Sequence, residues 1–131
     1  MRLLLDTHVF LDLVNRESDV APELRDALDN AEAVVLSIAS AWEISIKHGK
    51  GRLPLSLPPA ELLQTGLRDL RMSLLGIDMR HALASGTLPP HHRDPFDRML
   101  VAQAMCDRLT IVTSDRAIAA YDVPVLEGVR S

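Results

Sequence analysis

Short apolar runs recur along the chain, and polar residues or turn signals bound each of them. Such runs are typical of strands that are buried on both faces of a parallel sheet. Five runs predict strands, over residues 2–5, 33–39, 74–77, 110–114 and 123–128. Because Pro124 lacks the backbone N–H that a central strand needs, we expect the last strand at an edge of the sheet.

Longer segments with apolar residues at helical spacing separate these runs. They predict helices over residues 7–17, 22–31, 41–49, 60–72, 79–86, 94–109 and 116–121. Asp19 and Pro22 are start signals for the second helix, and Gly49 and Gly51 are stop signals for the third. This alternation of strands and helices predicts an α/β domain with a mainly parallel sheet and right-handed crossovers.

The composition is that of a compact globular chain of 131 residues, with 47% hydrophobic and 24% charged residues. This length suits one domain over residues 1–131, and the aromatic content of only 3% predicts an aliphatic core. The single cysteine, Cys106, is expected to be a buried free thiol, which fits a cytoplasmic location. Asp6 and His8 interrupt the N-terminal leucines before a signal peptide or membrane span is complete.

Carboxylates follow two of the predicted strands directly. Asp6 ends the first strand, Asp115 ends the fourth, and Glu43 is expected in the first turn of the helix after the second strand. Ligands of parallel α/β sheets bind at the carboxyl ends of the strands, and the helices that follow begin at the same edge. We therefore expect Asp6, Glu43 and Asp115 to approach one another. Asp97 is less firmly placed, because the loop TLPPHHR intervenes between it and the preceding elements.

Helix capping is an alternative role for several of these acids. The segment SAWE, which ends at Glu43, matches a capping box that starts at Ser40. In DPFD, Asp94 suits an N-cap and Asp97 suits the helix macrodipole. Capping does not readily explain both Asp6 and Asp115, because carboxylates at the ends of buried strands are partly desolvated and need partners.

A cluster of these acids would need a cation or bound protons. Two carboxylates about 4 Å apart repel by roughly 4 kcal/mol at an effective dielectric constant near 20. Oxygen ligands suit Mg²⁺ or Mn²⁺, and a bound cation also reconciles the net charge of −4 with a polyanionic ligand. Zinc is disfavoured, because four histidines lack zinc-site spacing. These histidines are expected to be solvated or to hydrogen-bond to the metal ligands from outside: His8, His48, His91 and His92.

Four segments together resemble a known family: LLLDTHVFLDL, SIASAWEISIKHGKGRL, HHRDPFDRMLVAQA and LTIVTSD. They resemble the PIN-domain ribonucleases, in particular the VapC-type toxins of toxin–antitoxin pairs, over nearly the whole chain. The resemblance implies a three-layer α/β/α sandwich around a mainly parallel sheet, and metal-dependent endonucleolytic cleavage of RNA with Mg²⁺ or Mn²⁺. The acidic quartet of the family, which binds the metal and carries the catalysis, falls on Asp6, Glu43, Asp97 and Asp115.

Residues beside the quartet are candidates for outer contacts or for binding the RNA backbone. Asp94 is expected to cap its helix and to assist the site from outside. The other candidates, each of which also has a purely local explanation as a turn residue, helix-end charge or ion-pair partner, are Thr7, Ser114, Lys47, Lys50, Arg98 and Arg116.

The resemblance also implies partners, namely a cognate antitoxin protein, an RNA substrate and a second copy of the chain in a homodimer. Apolar residues of PELRDALDNA and AELLQTGLRDL could line such interfaces, although most are expected to be core. Two other classes remain as alternatives. One is an Mg²⁺-dependent phosphatase, disfavoured because His8 stands where a second aspartate is needed, and the other is a protein-binding α/β module without catalysis.

Overall fold

The computed structural model of the chain describes residues 1–15 and 20–128. The predicted start signal Asp19 and the predicted last turn of the first helix, residues 16 and 17, lie outside these ranges. The strands are β1 (Arg2–Leu5), β2 (Ala33–Ser37), β3 (Ser73–Leu75), β4 (Thr110–Thr113) and β5 (Val125–Glu127). The helices are α1 (Thr7–Asn15), α2 (Pro22–Asn30), α3 (Ile38–Gly49), α4 (Pro59–Asp69), α5 (Met79–Gly86), α6 (Pro95–Asp107) and α7 (Arg116–Ala119).

The described strands form one sheet in the order β3-β2-β1-β4-β5, and every pairing is parallel. The leucines of β1 therefore lie at the centre, with Leu4 opposite Val35 of β2 and opposite Ile111 of β4. This confirms the predicted parallel sheet, and β5 occupies an edge as Pro124 predicts. The arrangement brings the carboxyl ends of β1, β2 and β4 side by side.

Alternate residues of the strands pack into two separate hydrophobic cores, one on each face of the sheet. Leu3 and Leu5 pack on one side with Phe10 of α1 and Leu62 of α4, whereas Leu4 packs on the other side with residues of α6 and α7. Helices therefore cover both faces, which confirms the three-layer α/β/α architecture. Cys106 is a free, half-buried thiol.

Helix α3 starts three residues earlier than predicted. Ser37 is its N-cap, since the Ser37 hydroxyl accepts a hydrogen bond from Ala39 N at 3.0 Å, and Ser40 lies inside the helix. The predicted capping box between Ser40 and Glu43 is therefore wrong, and Glu43 lies in the second turn rather than the first. Both serines suit an N-cap locally, but only Ser37 stands at the end of the extended strand, where its backbone remains in the β region.

Helix α6 begins as predicted. Oδ1 of Asp94 accepts hydrogen bonds from Phe96 N at 2.8 Å and from Asp97 N at 3.3 Å, and Pro95 occupies the first helical position. Asp94 is thus an N-cap, and Asp97 lies in the first turn, where its charge also meets the positive end of the macrodipole. No helix in the described part of the chain is long and apolar enough to cross a membrane.

Candidate functional site

Four separate elements deliver the predicted acidic quartet to the carboxyl edge of the sheet. Asp6 directly follows β1, Asp115 lies just beyond β4, Glu43 projects from α3 and Asp97 from the first turn of α6. Their charges interact. Burial is the largest cause of the raised pKa of Asp97 and of Asp6; the charges of Glu43 and Asp115 add to the shift of Asp97, and the charge of Asp115 adds to that of Asp6. The acids thus form one electrostatic cluster, which we call the acidic cluster.

In Asp6 and in Asp115, the two carboxylate oxygens make different contacts. Oδ1 of Asp6 accepts a hydrogen bond from Val9 N at 2.7 Å, and Oδ1 of Asp115 accepts one from Ala117 N at 2.8 Å. Both aspartates therefore do cap helices, contrary to the expectation from sequence. The second oxygen of each carboxylate is left for other contacts, so capping and a role in the acidic cluster are compatible.

Thr113, which the sequence analysis did not select, links these two aspartates. Its hydroxyl donates a hydrogen bond to Oδ2 of Asp6 and accepts one from Asp115 N at 3.0 Å. The predicted neighbour Ser114 instead donates to the carbonyl of Gly128 at 2.9 Å and is exposed. Successive side chains of an extended segment point to opposite sides, so only one of these two hydroxyls can reach Asp6.

Glu43 is buried, and both of its carboxylate oxygens have partners. The Thr7 hydroxyl donates to Oε1 at 2.7 Å and also lies 2.8 Å from Oγ of Ser40. The ammonium group of Lys47, one helical turn along α3, lies 2.6 Å from Oε2. This hydrogen bond raises the pKa of Lys47 despite its partial burial, so the ammonium remains charged and balances part of the negative charge.

His92 contacts two acids of the cluster, which agrees with one of the two roles expected for it, that of a hydrogen-bond partner of the metal ligands. Its Nε2 is 2.9 Å from Oδ2 of Asp115 and 3.1 Å from Oδ2 of Asp97. Burial lowers the pKa of His92, but the hydrogen bond to Asp115 and the charges of Asp97, Asp115 and Asp94 outweigh this effect, so the pKa is raised. The sequence feature that relates to this contact is the position of His92 two residues before the helix cap Asp94. A search for histidines four residues apart on a helix does not find it.

Burial and mutual repulsion perturb the aspartates unequally. Burial, followed by the charge of Asp94, raises the pKa of Asp97 to about 7, although His92 opposes this shift. Burial also raises the pKa of Asp6 and outweighs the hydrogen bonds from Thr113 and Val9. For Asp115, burial acts in the same direction but the hydrogen bonds that it accepts prevail and lower its pKa. Among these aspartates, Asp97 therefore shows the strongest resistance to ionisation.

The donor set fits a divalent cation. Carboxylate oxygens of Asp97 and Asp115 lie within 4.8 Å of each other and of a ring nitrogen of His92, and in the described residues no other three such side chains come as close together. The remaining carboxylates of the cluster add oxygen donors, which suit Mg²⁺ or Mn²⁺. A cavity of about 490 Å³ lies elsewhere, chiefly between α2, the start of β2 and the end of α4, and no residue of the cluster lines it.

Of the predicted basic residues, only Lys47 contacts an acid of the cluster. Lys50 is exposed at the end of α3, and exposed Arg116 has no partner within residues 1–15 and 20–128. Arg98 binds the preceding loop instead of a carboxylate. Its guanidinium donates to five acceptors, namely the carbonyls of Ser85, Leu88, Pro89 and His92 and the hydroxyl of Tyr121.

The protein is an α/β/α sandwich with an acidic site. Its parallel sheet is covered by helices on both faces, and carboxylates gather at the carboxyl edge of the sheet. A family profile described as PIN domain matches residues 3–124. The chain therefore belongs to the PIN-domain family, as the resemblance of its four segments implied.

Individual relatives agree with this assignment. The chain is similar to Ribonuclease VapC16 of Mycobacterium tuberculosis, with 33% identity over 70 residues. That match spans 53% of the chain and 45% of the relative, which is less than half of the relative's length.

Solved structures match over nearly the whole chain. One is VapBC2 from Rickettsia felis bound to a DNA fragment from its promoter, with a TM-score of 0.75, 15% identity, and coverage of 97% of this chain and 98% of that chain. Another is DNA-bound VapBC from Salmonella typhimurium, with a TM-score of 0.74, 18% identity, and coverage of 98% and 99%. At these identities the likeness establishes the fold.

Proposed function

We propose that this protein is a metal-dependent endoribonuclease and the toxin of a toxin–antitoxin pair. The observation that carries the proposal is the convergence of Asp6, Glu43, Asp97 and Asp115 from four elements into one acidic cluster. Isolated helix caps would not require such convergence. Burial, followed by the charges of Asp94, Glu43 and Asp115, raises the pKa of Asp97 to about 7. The similarity to Ribonuclease VapC16 supports the same reaction.

The four acids would hold Mg²⁺ or Mn²⁺. When bound, such a cation lowers the pKa of a coordinated water, orients the phosphodiester and stabilises the charge that develops on it. The chain contributes the orientation of the ligands. Thr113 fixes Asp6, Thr7 fixes Glu43, and the N-cap at Asp94 fixes the first turn of α6, which carries Asp97.

Lys47 is the residue best placed to meet the RNA backbone. Its ammonium is held against Glu43, yet 40% of its side chain is exposed. A charged group that is anchored at the site and open to solvent can pair with a phosphate oxygen without reorganising the buried carboxylates. The proposal therefore assigns to Lys47 the positioning of the phosphodiester.

An antitoxin protein and a second copy of the chain are the proposed partners, in the cytoplasm. The predicted interface residues of α2 and α4 do not favour this role, since Leu24, Leu28, Leu62, Leu63 and Leu67 pack into or against the core. Exposed apolar side chains instead occur on α3, near β3 and on α5: Ile38, Trp42, Leu74, Ile77, Met79 and Leu83. The structural relatives include VapBC complexes, which supports an antitoxin partner.

The activity is tested with purified, antitoxin-free protein and a panel of structured RNAs, in Mg²⁺, in Mn²⁺ and in EDTA. We expect metal-dependent cutting that Asp6→Asn and Asp115→Asn abolish. Exposed Asp122 lies outside the cluster, so Asp122→Asn is the matched control and should cut like the wild type. Unchanged cutting by the two cluster variants would refute the assignment. No cutting, together with no metal binding by calorimetry, would favour the protein-binding module.

The phosphatase alternative has less support. That mechanism needs a second aspartate two residues after the nucleophilic one, where this chain has exposed His8, and the family profile that matches residues 3–124 is that of the PIN domain.

A further inference from the structure

The imidazole of His92 occupies the space between two acids of the cluster. We propose that His92 is an internal competitor for the cation: its Nε2–H bridges Asp97 and Asp115, and the ring must swing away before a cation can bridge the same two carboxylates. This inference rests on the metal centre of the proposed function. It concerns a residue outside the acidic quartet and predicts that removal of this residue increases the affinity for the cation.

The hydrogen bond at the other ring nitrogen shows which group His92 presents to the acids. Nδ1 accepts a hydrogen bond from Asp94 N at 3.1 Å, so in the neutral ring the single proton is on Nε2. In this form Nε2 is a donor, and it has no lone pair to offer a metal ion.

A metal ligand would require the opposite arrangement. A histidine that binds a metal through Nε2 carries its remaining proton on Nδ1, which donates to a carbonyl or a carboxylate. Here Nδ1 faces a backbone N–H, which is itself a donor. The Nε2–H of His92 therefore compensates the negative charge of Asp97 and Asp115, as a bound cation would. His92 does not itself provide a nitrogen ligand for that cation.

The main chain of His92 is anchored, so the competition involves only the side chain. Its N–H donates to the Tyr121 hydroxyl at 3.0 Å, and its carbonyl accepts from Nη1 of Arg98 at 3.3 Å. Its side chain is 16% exposed, so the ring borders solvent, and its displacement requires rotation about the side-chain bonds with loss of the contacts to Asp94 N, Asp97 and Asp115. The ring can thus leave and return without refolding the loop.

The competition should weaken the apparent affinity for the cation. A hydrogen bond to a charged group contributes about 1.5–3 kcal/mol, which corresponds to a factor of roughly 10 to 100 in affinity. We therefore expect His92→Ala to bind Mn²⁺ more tightly than the wild type by a factor in this range. Loss of a ligand would change the affinity in the opposite direction.

The experiment is calorimetric titration of Mn²⁺ into the full chain as wild type, His92→Ala and His91→Ala. His91 is the matched control, since it lies beside His92 but packs its ring on Tyr121, with 4.9 Å between ring centroids. Tighter binding by His92→Ala alone supports the competitor. Weaker or unchanged binding by this variant overturns it while the metal centre stands. No binding by any of the three proteins overturns the metal centre, and the competitor with it.

A measurement on the unmodified protein covers the case in which His92→Ala fails to fold. We would follow the His92 ring nitrogens by NMR while the wild type is titrated with diamagnetic Mg²⁺. Displacement predicts that Nε2 keeps its proton but that this proton exchanges faster with water as the cation saturates the site. Ring signals that stay unchanged at saturation would overturn the proposal.

Discussion

Replacing Asp97 with Asn should stabilise the metal-free protein at pH 8. Burial, followed by repulsion from Asp94, raises the pKa of Asp97 from 3.8 to about 7. The folded state therefore resists ionisation of this carboxyl more strongly than the unfolded state does. Asparagine has a similar shape and carries no charge, so it removes that resistance.

The size of the effect follows from linkage. A shift of about three pKa units corresponds to roughly 4 kcal/mol in the free energy of unfolding. Since the folded pKa is the higher one, the stabilisation by the neutral carboxyl is complete below pH 3.8 and is lost as the pH rises through about 7. This figure already includes the opposing charge of His92, whose Nε2 lies 3.1 Å from Oδ2 of Asp97.

Urea unfolding in EDTA, followed by circular dichroism between pH 4 and pH 8, measures the difference between Asp97→Asn and wild type. The advantage of the variant should grow with pH up to about 7 and then level off. Asp122→Asn, an exposed control, should show no such trend. The reasoning fails if the variant is less stable than the wild type at pH 8, or if its advantage is the same at both ends of the pH range.

Three further substitutions test the surroundings of the site. Lys47→Gln leaves buried Glu43 without its cationic partner. It should lower the free energy of unfolding measured in urea by about 1–3 kcal/mol and also lower the RNA cleavage rate; unchanged values would contradict the pairing. Gly66→Ala places a methyl group 2.6 Å from Cζ of Phe10, so calorimetry should show a loss of about 1–3 kcal/mol rather than a gain in helix stability. Arg98→Lys cannot reach all five acceptors, so hydrogen exchange should accelerate over residues 85–92, and retained protection would refute this.

The regular elements were largely predictable because their signals are local. The apolar run of β1 is buried on both faces, and such runs predict a central parallel strand wherever they occur. The N-cap at Asp94 was equally local, because a capping side chain bonds within three residues of itself. The start of α3 was misjudged because Ser37 and Ser40 are both good caps in isolation. Burial of Ser40 against Thr7 depends on a contact between distant parts of the chain.

The contacts within the acidic cluster depended on tertiary structure. Side-chain alternation along β4 already separates Thr113 from Ser114, but only the pairing of β1 with β4 shows which of them faces Asp6. The anchored loop that brings His92 to Asp115, 23 positions away in the chain, is held by Arg98. No pattern within the loop predicts that contact.

The sequence by itself therefore determined the α/β class and the order of its elements, because apolar periodicity is visible along the chain. Motif resemblance selected the four candidate acids, whose roles stay a prediction. The tertiary structure alone decided how those acids are charged and what lies between them. The pKa of Asp97 is raised to about 7 first by burial and then by the charges of Asp94, Glu43 and Asp115, and the last two come from distant parts of the chain. Such proximity is a consequence of packing, which local sequence does not encode.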